Sequence, residues 1–507
     1  MAITAGDSLN SVPAAQQQTL SSNYIDFNQD MGWAQQYLPE LMEKEAEVFG
    51  PRTISGFLSK VGAEEAMQSD QVIWSEQGRL HLSYKGKIAT NHGTGGSGPA
   101  GADAGNGATT KVTIEQDIDG NAITSTHGIR VNDTIILANA AGVHKCLVVT
   151  AAANTATIDV SPYGSANIAD SNDSLSCTIL VYGSEFSKGV SYPTGGATTT
   201  FEDGRRANEP DFKTFANRPI IMKDYYEVSG SDTARIGWVE VAAETGQSGY
   251  LWYLKAEADT RSRFTDYLEM ALIEAEKNAA ASLADGSNNL AGSSAGANNV
   301  GTEGLFAAIE ARGNLTSGIT GVNAATDLAE FDAILAEFDN QGAIEENMMF
   351  VNRATSLAID DMLASMNSYG AGGTSYGVFE NDEDMALNLG FSGFRRGSYD
   401  FYKSDFRYLN DKATRGSINA ANTASAIRGV IIPAGTSTVY DQSLGKNLKR
   451  PFLHVRYRAS QTDNRKMKTW VTGSVGATTS ALDAMQIHML TERCLVVQGA
   501  NNFMLMN

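Results

Sequence analysis

Apolar positions recur at three- and four-residue steps most persistently between Tyr250 and Ala284. Leu251, Leu254, Ala258, Phe264, Leu268, Ala271, Ala275 and Leu283, with Arg261 between them, share one side of a helical projection, while Glu257, Asp259, Glu269, Glu274, Glu276 and Lys277 take the others. The spacing predicts a single helix over residues 250–284, opened by Ser248 and Gly249 and closed by Asp285 and Gly286. At about 1.5 Å per residue it would span on the order of 50 Å, more than a typical small domain. A girder between lobes or subunits is expected. A coiled-coil dimer is the alternative, and the absence of an Ile/Val-and-Leu alternation in the seam speaks against it.

The rest of the chain changes period several times. Residues 1–32 are rich in Gln, Ser and Ala and predict an extended arm too poor in apolar side chains to order itself without neighbours. Leu38, Leu41, Met42 and Phe49 then predict a first helix ended by Gly50-Pro51, and Ile54, Phe57, Leu58 and Val61 a second. From Gln71 the period is two, and Val72 and Trp74, then Leu80, Leu82 and Tyr84, predict a β-hairpin around Ser75 to Gly78. Leu328, Phe331, Leu335 and Phe338 predict a helix capped by Thr326, Met348 to Val351 a buried strand, and Ala354 to Met366 another helix, together an α/β lobe. The tail returns to strands at 429–432, 451–458, 468–475 and 487–506.

Two abrupt shifts of composition bracket a module. A glycine-rich stretch begins at His92 and a second, SYPTGG, starts at Ser191; between them lie short alternating runs divided by Asp, Asn and Gly turns, the pattern of a small all-β domain inserted in a loop of the parent fold. Gly286 to Gly301 is a flexible connector by composition.

The chain has 507 residues, 42% of them hydrophobic, which is enough for two to four lobes with real cores. Its formal net charge of -20 argues against a surface that grips nucleic acid throughout. Cys146, Cys177 and Cys494 are too few and too scattered for a disulfide framework or a zinc site. No basic n-region precedes an apolar h-region, and no run approaches membrane-spanning length, so neither secretion nor membrane insertion is indicated.

Candidate chemistry is sparse. Residues 117–121, DIDGN, contain part of a calcium loop but no acidic ligand at the twelfth position, and a hairpin turn explains them. The six histidines form no HxH or HxxxH pair, and the glycine-rich stretches lack the GK[ST] ending of a phosphate loop. No metal, cofactor or catalytic residue is expected. One cluster stands out: Lys446, Lys449, Arg450, Arg456, Arg458, Arg465, Lys466 and Lys468, with Asp463 among them. DNA is one possible partner for it. The alternation of Phe452, His454, Arg456 and Arg458 with Leu453, Val455 and Tyr457 instead predicts a strand with one charged face suited to acidic partners. Glu40, Glu43, Glu45 and Glu47 of the N-terminal helix are the natural counterpart, so Arg456, Arg458, Arg465, Lys466 and Lys468 with those four glutamates form the candidate subunit interface.

The order of parts, together with ISGFLSKVGAEEAMQSDQVIWSEQGRLHLSY at residues 54–84 and FANRPIIMKDYYEVSGSD at 215–232, resembles the major capsid proteins of tailed phages with the Hong Kong 97 type fold, most closely those of crAss-like phages. The two segments cover about a tenth of the chain; the softer likeness of architecture covers nearly all of it. The resemblance implies an α+β fold with an N-arm, an E-loop, a P-domain with a long spine helix and an A-domain, plus an inserted all-β domain. It implies this division: 1–70 arm and short helices, 71–91 and 191–245 E-loop strands, 92–190 inserted domain, 246–325 and 446–475 P-domain, 326–445 and 476–507 A-domain and returning strands. The expected function is that of a virion shell subunit, not an enzyme, assembled in the host cytoplasm into hexamers and pentamers. Portal and auxiliary or head-fibre proteins, and double-stranded DNA bound without sequence specificity, are the implied partners, with no membrane. The chain shows no coiled-coil scaffolding segment ahead of the arm, which implies a separate scaffold or none. A secreted or surface polysaccharide-active enzyme with a β-sandwich accessory module, and a surface-layer or other virion structural protein, are the alternatives.

Overall fold

The computed structural model describes residues 63–88, 110–189, 212–233, 240–242, 248–277, 301–367, 393–441 and 446–507, apart from 80, 126, 141, 152–155, 165–167, 169–172, 343, 422–424, 435, 442–445 and 476–477. The expected arm, the two N-terminal helices and the connector at 286–300 lie outside the described residues. The chain divides into two compact units, Met1–Trp74 with Phe215–Asn507, and Ser75–Thr214.

In the first unit, a mixed sheet orders its strands β1 (Ala63–Met67), β20 (Leu453–Arg458), β22 (Ala484–Val497) and β10 (Ile220–Ser229), with β21 (Lys468–Gly473) also on β22. β1 runs parallel to β20, and the other pairings are antiparallel. β20 and β21 follow one another along the same side of the 14-residue β22, because β10 occupies its other side over Ala484 to Arg493. Helix α2 (Leu251–Glu274) buries Thr260, Phe264, Leu268 and Leu272, with Glu269 and Ile273 beside that row. A short helix, α1 (Gly230–Thr233), follows β10, and β11 (Glu240–Ala242) pairs with β12 (Ser248–Tyr250) just before α2.

The long helix therefore differs from its sequence pattern in three respects. It has 24 residues, about 36 Å. Its buried row is offset from the expected seam, leaving Ala258 and Arg261 exposed and Glu269 buried. It also ends at Glu274, ten residues before Ala284. The end is tertiary in origin: the Gly304 N–H donates to the Ala275 carbonyl at 2.7 Å, the Lys277 ammonium donates to the Ala216 carbonyl, and a Cβ on Gly301 would lie 2.4 Å from the Glu276 carbonyl. The Ala275 carbonyl, which a longer helix would have bonded internally, is satisfied by the returning chain, and that chain packs closely against Glu276.

A second sheet in this unit orders β13 (Asn314–Thr316), β23 (Met504–Met506), β17 (Gly429–Pro433), β14 (Glu346–Val351), β16 (Tyr399–Asp405) and β15 (Gly393–Arg396). It is apolar on both faces, and the alternation can be followed residue by residue. Met348, Phe350, Val430, Ile432 and Leu505 join the core that contains Leu268 and Leu272 of α2, Leu305 and Ile309 of α3 (Leu305–Arg312), and Leu453, Val455, Leu495 and Val497 of the mixed sheet. Met349, Val351, Ile431, Met504 and Met506 face Phe331, Ile334 and Phe338 of α4 (Ala324–Gln341) and Ile359, Met362 and Leu363 of α5 (Arg353–Asn367). The cap of α4 is Asn323, whose side chain accepts from Ala325 and Thr326 at 3.1 and 3.0 Å, and not the expected Thr326. Gly342 closes α4 in the left-handed region, φ 68°. β13, before residue 326, pairs in the six-stranded sheet, and β22, one of the returning strands after 476, lies in the mixed one. Strands β18 (Thr436–Asp441) and β19 (Lys446–Pro451) pair with each other, and α6 (Arg415–Ala421) is a short surface helix.

The second unit is a closed barrel, in the order β3 (Ser83–Ile88), β4 (Thr110–Asp117), β7 (Thr157–Pro162), β6 (Gly142–Ala151), β5 (Asp133–Asn139) and β8 (Cys177–Ser184). Val112, Ile135, Cys146, Val148, Val160, Cys177 and Ile179 fill its interior. At Asp117 the chain makes the expected turn: Gly120 takes φ 89° and the Asp117 carboxylate accepts from the Asn121 N–H at 2.8 Å. The expected hairpin at 71–84 does not form. β2 (Val72–Gln77) continues through the supposed turn and pairs with β9 (Phe212–Asn217), while β3 belongs to the barrel. A local turn preference yields there to pairing with a strand some 140 residues away. Trp74 packs against Phe215, with the Arg312 guanidinium 5.6 and 4.6 Å from the two ring centroids.

Candidate assembly interface

The basic cluster falls where β1, β20 and the end of β22 meet. Because β20 alternates, Leu453 and Val455 enter the apolar core while Arg456 and Arg458 take the opposite face. Register places Glu65 beside Arg456 and Met67 beside Arg458, and the segment from Ser460 to Met467 folds back so that Glu492 donates its N–H to the Arg465 carbonyl at 3.0 Å.

The contacts are dense. Arg456 pairs with Glu65 at 2.9 Å, and Arg458 with Asp70 and, at 3.4 Å, with Glu492. Arg465 reaches the other oxygen of Glu492 at 2.6 Å, so one buried carboxylate holds two guanidinium groups. Glu64 likewise takes Arg493 at 2.8 Å and the Lys466 ammonium, which also lies 5.3 Å from the Tyr457 ring. Lys468 pairs with Asp463 at 2.9 Å on the exposed rim, and the lysine holds the Asp463 carboxyl below its usual range. The Arg493 guanidinium donates to the Lys466 carbonyl at 2.9 Å from one nitrogen and 3.2 Å from another. Burial pulls its pKa down from the ordinary value, and Glu64 and Glu269 oppose that shift.

Five of the sequence-derived site residues, Arg456, Arg458, Arg465, Lys466 and Lys468, are thus brought together. Their partners here are Glu64, Glu65, Asp70, Asp463 and Glu492 of the same chain. Glu40, Glu43, Glu45 and Glu47 lie outside the described residues, as do the side chains of Lys446, Lys449 and Arg450. Six cations, counting Arg493, meet five carboxylates, leaving little charge to neutralise a phosphate backbone. A cleft of about 200 Å³ between Gln68, Arg458, Ser460, Asp463 and Arg465 opens beside the cluster. Among the described residues no group of three or more metal-ligating side chains occurs, and no helix is long and apolar enough to cross a membrane.

Chains of similar structure come from Microbacterium phage Oxtober96 (TM-score 0.37, 8% identity, 94% of this chain and 97% of that one), the mature capsid of bacteriophage PhiM1 (0.29, 9%, 63% and 78%) and the capsid of cyanophage P-SCSP1u (0.30, 9%, 63% and 80%). At these scores a shared fold does not follow from the likeness. No protein-family model and no curated protein matches the chain.

Sequence reasoning missed the carboxylates that organise this cluster. Glu492 and Arg493 stand in TERCLVV, an apolar strand in which adjacent opposite charges are the visible signal of buried pairing. Asn217 was also missed. It is fully buried, donates to the carbonyls of Leu495 and Glu303 at 2.6 and 3.0 Å, and accepts from the Glu303 N–H at 2.9 Å, tying β9 and the approach to α3 to β22.

Proposed function

We propose that this chain is the major capsid protein of a tailed double-stranded DNA bacteriophage, of the Hong Kong 97 type and most like those of crAss-like phages. It assembles into hexamers and pentamers of an icosahedral head. The reading is carried by the position of the two segments on which the resemblance rests. Residues 54–84 contribute β1 and residues 215–232 contribute β10, which end the row β1-β20-β22-β10 of the mixed sheet beside α2, with β21 a further outer strand on β22. Outer strands offer unpaired backbone to a neighbour, and a shell subunit needs such edges on more than one side. On this reading α2 is the spine helix, the six-stranded sheet with α4 and α5 is the A-domain, and the barrel is the domain inserted in the E-loop.

The charged cluster then acts as an assembly surface. Glu64, Glu65 and Glu492 hold these cations within the chain, and on assembly Glu40, Glu43, Glu45 and Glu47 of an adjacent copy exchange with those intrachain partners. Such pairs fix register more than they add affinity. The overall negative charge keeps packaged DNA from adhering to the lining. Portal and head-fibre proteins would join the shell in the host cytoplasm.

Sedimentation and electron microscopy of the purified full chain test this. Megadalton shells are expected, and Arg456→Glu with Arg458→Glu should abolish them. A monomer or small oligomer at every ionic strength would overturn the proposal in favour of an enzyme or another surface protein.

A further inference from the structure

The barrel carries an open cleft of about 430 Å³ on its outer surface that nothing in a shell-forming role requires. Two tyrosines line it, Tyr163 just after β7 and Tyr182 on β8, each with half its surface exposed. Lys145 of β6 and Glu185, beyond β8, supply one cation and one carboxylate. The Tyr163 hydroxyl donates to Glu185, and the Tyr163 N–H donates to the Lys145 carbonyl at 3.0 Å, so ring and charges are held on one backbone frame. The Glu185 N–H donates to the carbonyl of Asn132, itself in the left-handed region at φ 67°, which anchors that lip.

The floor is open because residue 183 has no side chain. Gly183 faces Thr134 across the β5–β8 pairing, where the register shifts by one residue, and a Cβ at Gly183 would lie 3.2 Å from the Thr134 hydroxyl. The cleft is therefore shallow and aromatic-walled, with a polar floor and balanced charge. Its shape and polarity do not suit an apolar ligand, which needs a deep enclosed pocket, and a phosphate ester would need more than one cation. A pyranose ring meets every feature. Its C–H face packs on a tyrosine ring, vicinal hydroxyls donate to the second oxygen of the Glu185 carboxylate, and a ring or hydroxyl oxygen accepts from the Lys145 ammonium.

We propose that the cleft between Tyr163 and Tyr182 binds a neutral hexopyranoside unit of an oligosaccharide. This does not depend on the capsid reading, since the barrel's surface is the same in any assembly that leaves it exposed. The test is saturation-transfer NMR on the full-length protein with lactose, maltotriose and cellotriose as probes. Transfer to the pyranose C–H protons of at least one probe is expected. It should fall at least fivefold in Tyr182→Ala and in Gly183→Val, which fills the floor, and persist in Tyr402→Ala, an equally exposed tyrosine outside the barrel. Lys145→Ala, a change at an exposed side chain, supplies the same test should either cleft variant fold poorly. Absence of transfer to all three probes overturns the proposal, as does transfer that survives the cleft variants. So would an outcome in which Tyr182→Ala alters particle size while no sugar binds, because the rings would then belong to a protein contact.

Discussion

The barrel and the mixed sheet solve the same problem in opposite ways. A sheet leaves its outer strands with unpaired backbone, and the barrel removes them by closing β8 onto both β3 and β5 around an interior of Val, Ile, Leu and Cys. The mixed sheet keeps its outer strands. It fixes the short parallel strand β1 with charges, placing Glu64 and Glu65 against Arg456, Lys466 and Arg493, and Asp70 against Arg458. Closure depends on packing and is indifferent to salt. An ion-paired edge is strong where buried and weaker at its rim, and its pairs can exchange partners.

Three cysteines report on this contrast separately, because Cys146 and Cys177 lie inside the barrel and Cys494 lies next to Arg456 in the mixed sheet. Their labelling rates in the native protein measure local opening. The largest effect is expected from Gly86→Ala, since a Cβ there would lie 2.0 Å from the Thr113 carbonyl oxygen, a backbone atom that cannot rotate away. Overpacking of this kind costs on the order of 3 kcal/mol, so labelling of Cys146 and Cys177 should rise roughly a hundredfold while Cys494 is unchanged. Equal acceleration of all three thiols would mean that barrel and sheet open together, and the contrast would fail.

Glu492→Ala comes next. It leaves Arg458 and Arg465 without their shared carboxylate, and because both guanidiniums are about a quarter exposed the cost should be nearer ~2 kcal/mol than the full penalty for a buried charge. Only Cys494 should label faster, by roughly tenfold or more. In the unaltered protein, raising salt should produce a smaller change of the same kind at Cys494 and none in the barrel.

The smallest effect concerns pH. Burial raises the thiols of Cys146, Cys177 and Cys494 to about 12, about 11 and about 12, from an ordinary value of 9.0. In the folded chain they stay protonated where the unfolded chain ionises. Their contribution is therefore fully present below pH 9 and is lost as pH rises from there through 11 to 12. Replacing Cys146 and Cys177 by Ser should flatten the alkaline limb of the stability profile. An unchanged limb would show that the thiols ionise equally in both states.

Much of the α/β lobe could be read in the chain. Phe331 and Phe338 recur at helical spacing and are buried, Met348 to Val351 form the inner strand, and the alternation from Leu453 to Arg458 placed its charges on one face correctly. The basic residues of the candidate interface were legible because they cluster in sequence. Their partners were not, since Glu64 and Glu65 lie almost 400 residues from Arg456 and carry no pattern that marks them among 58 acidic residues. The cleft on the barrel was equally hidden, because it is assembled from β5, β6, β8 and the end of β7.

What the sequence determined by itself was local: the period of each element, the apolar inventory of each core, and the Asp-Gly turn at residues 119–120, all of which depend on neighbours a few residues apart. Only tertiary structure decided that α2 stops at Glu274, that β2 pairs with β9 some 140 residues further along the chain, and which carboxylate meets which guanidinium. The physical reason is common to all three. Each outcome is a competition between a local preference of about 1 kcal/mol and hydrogen bonds, ion pairs and buried area contributed by residues far away in the chain, and the distant terms together are larger.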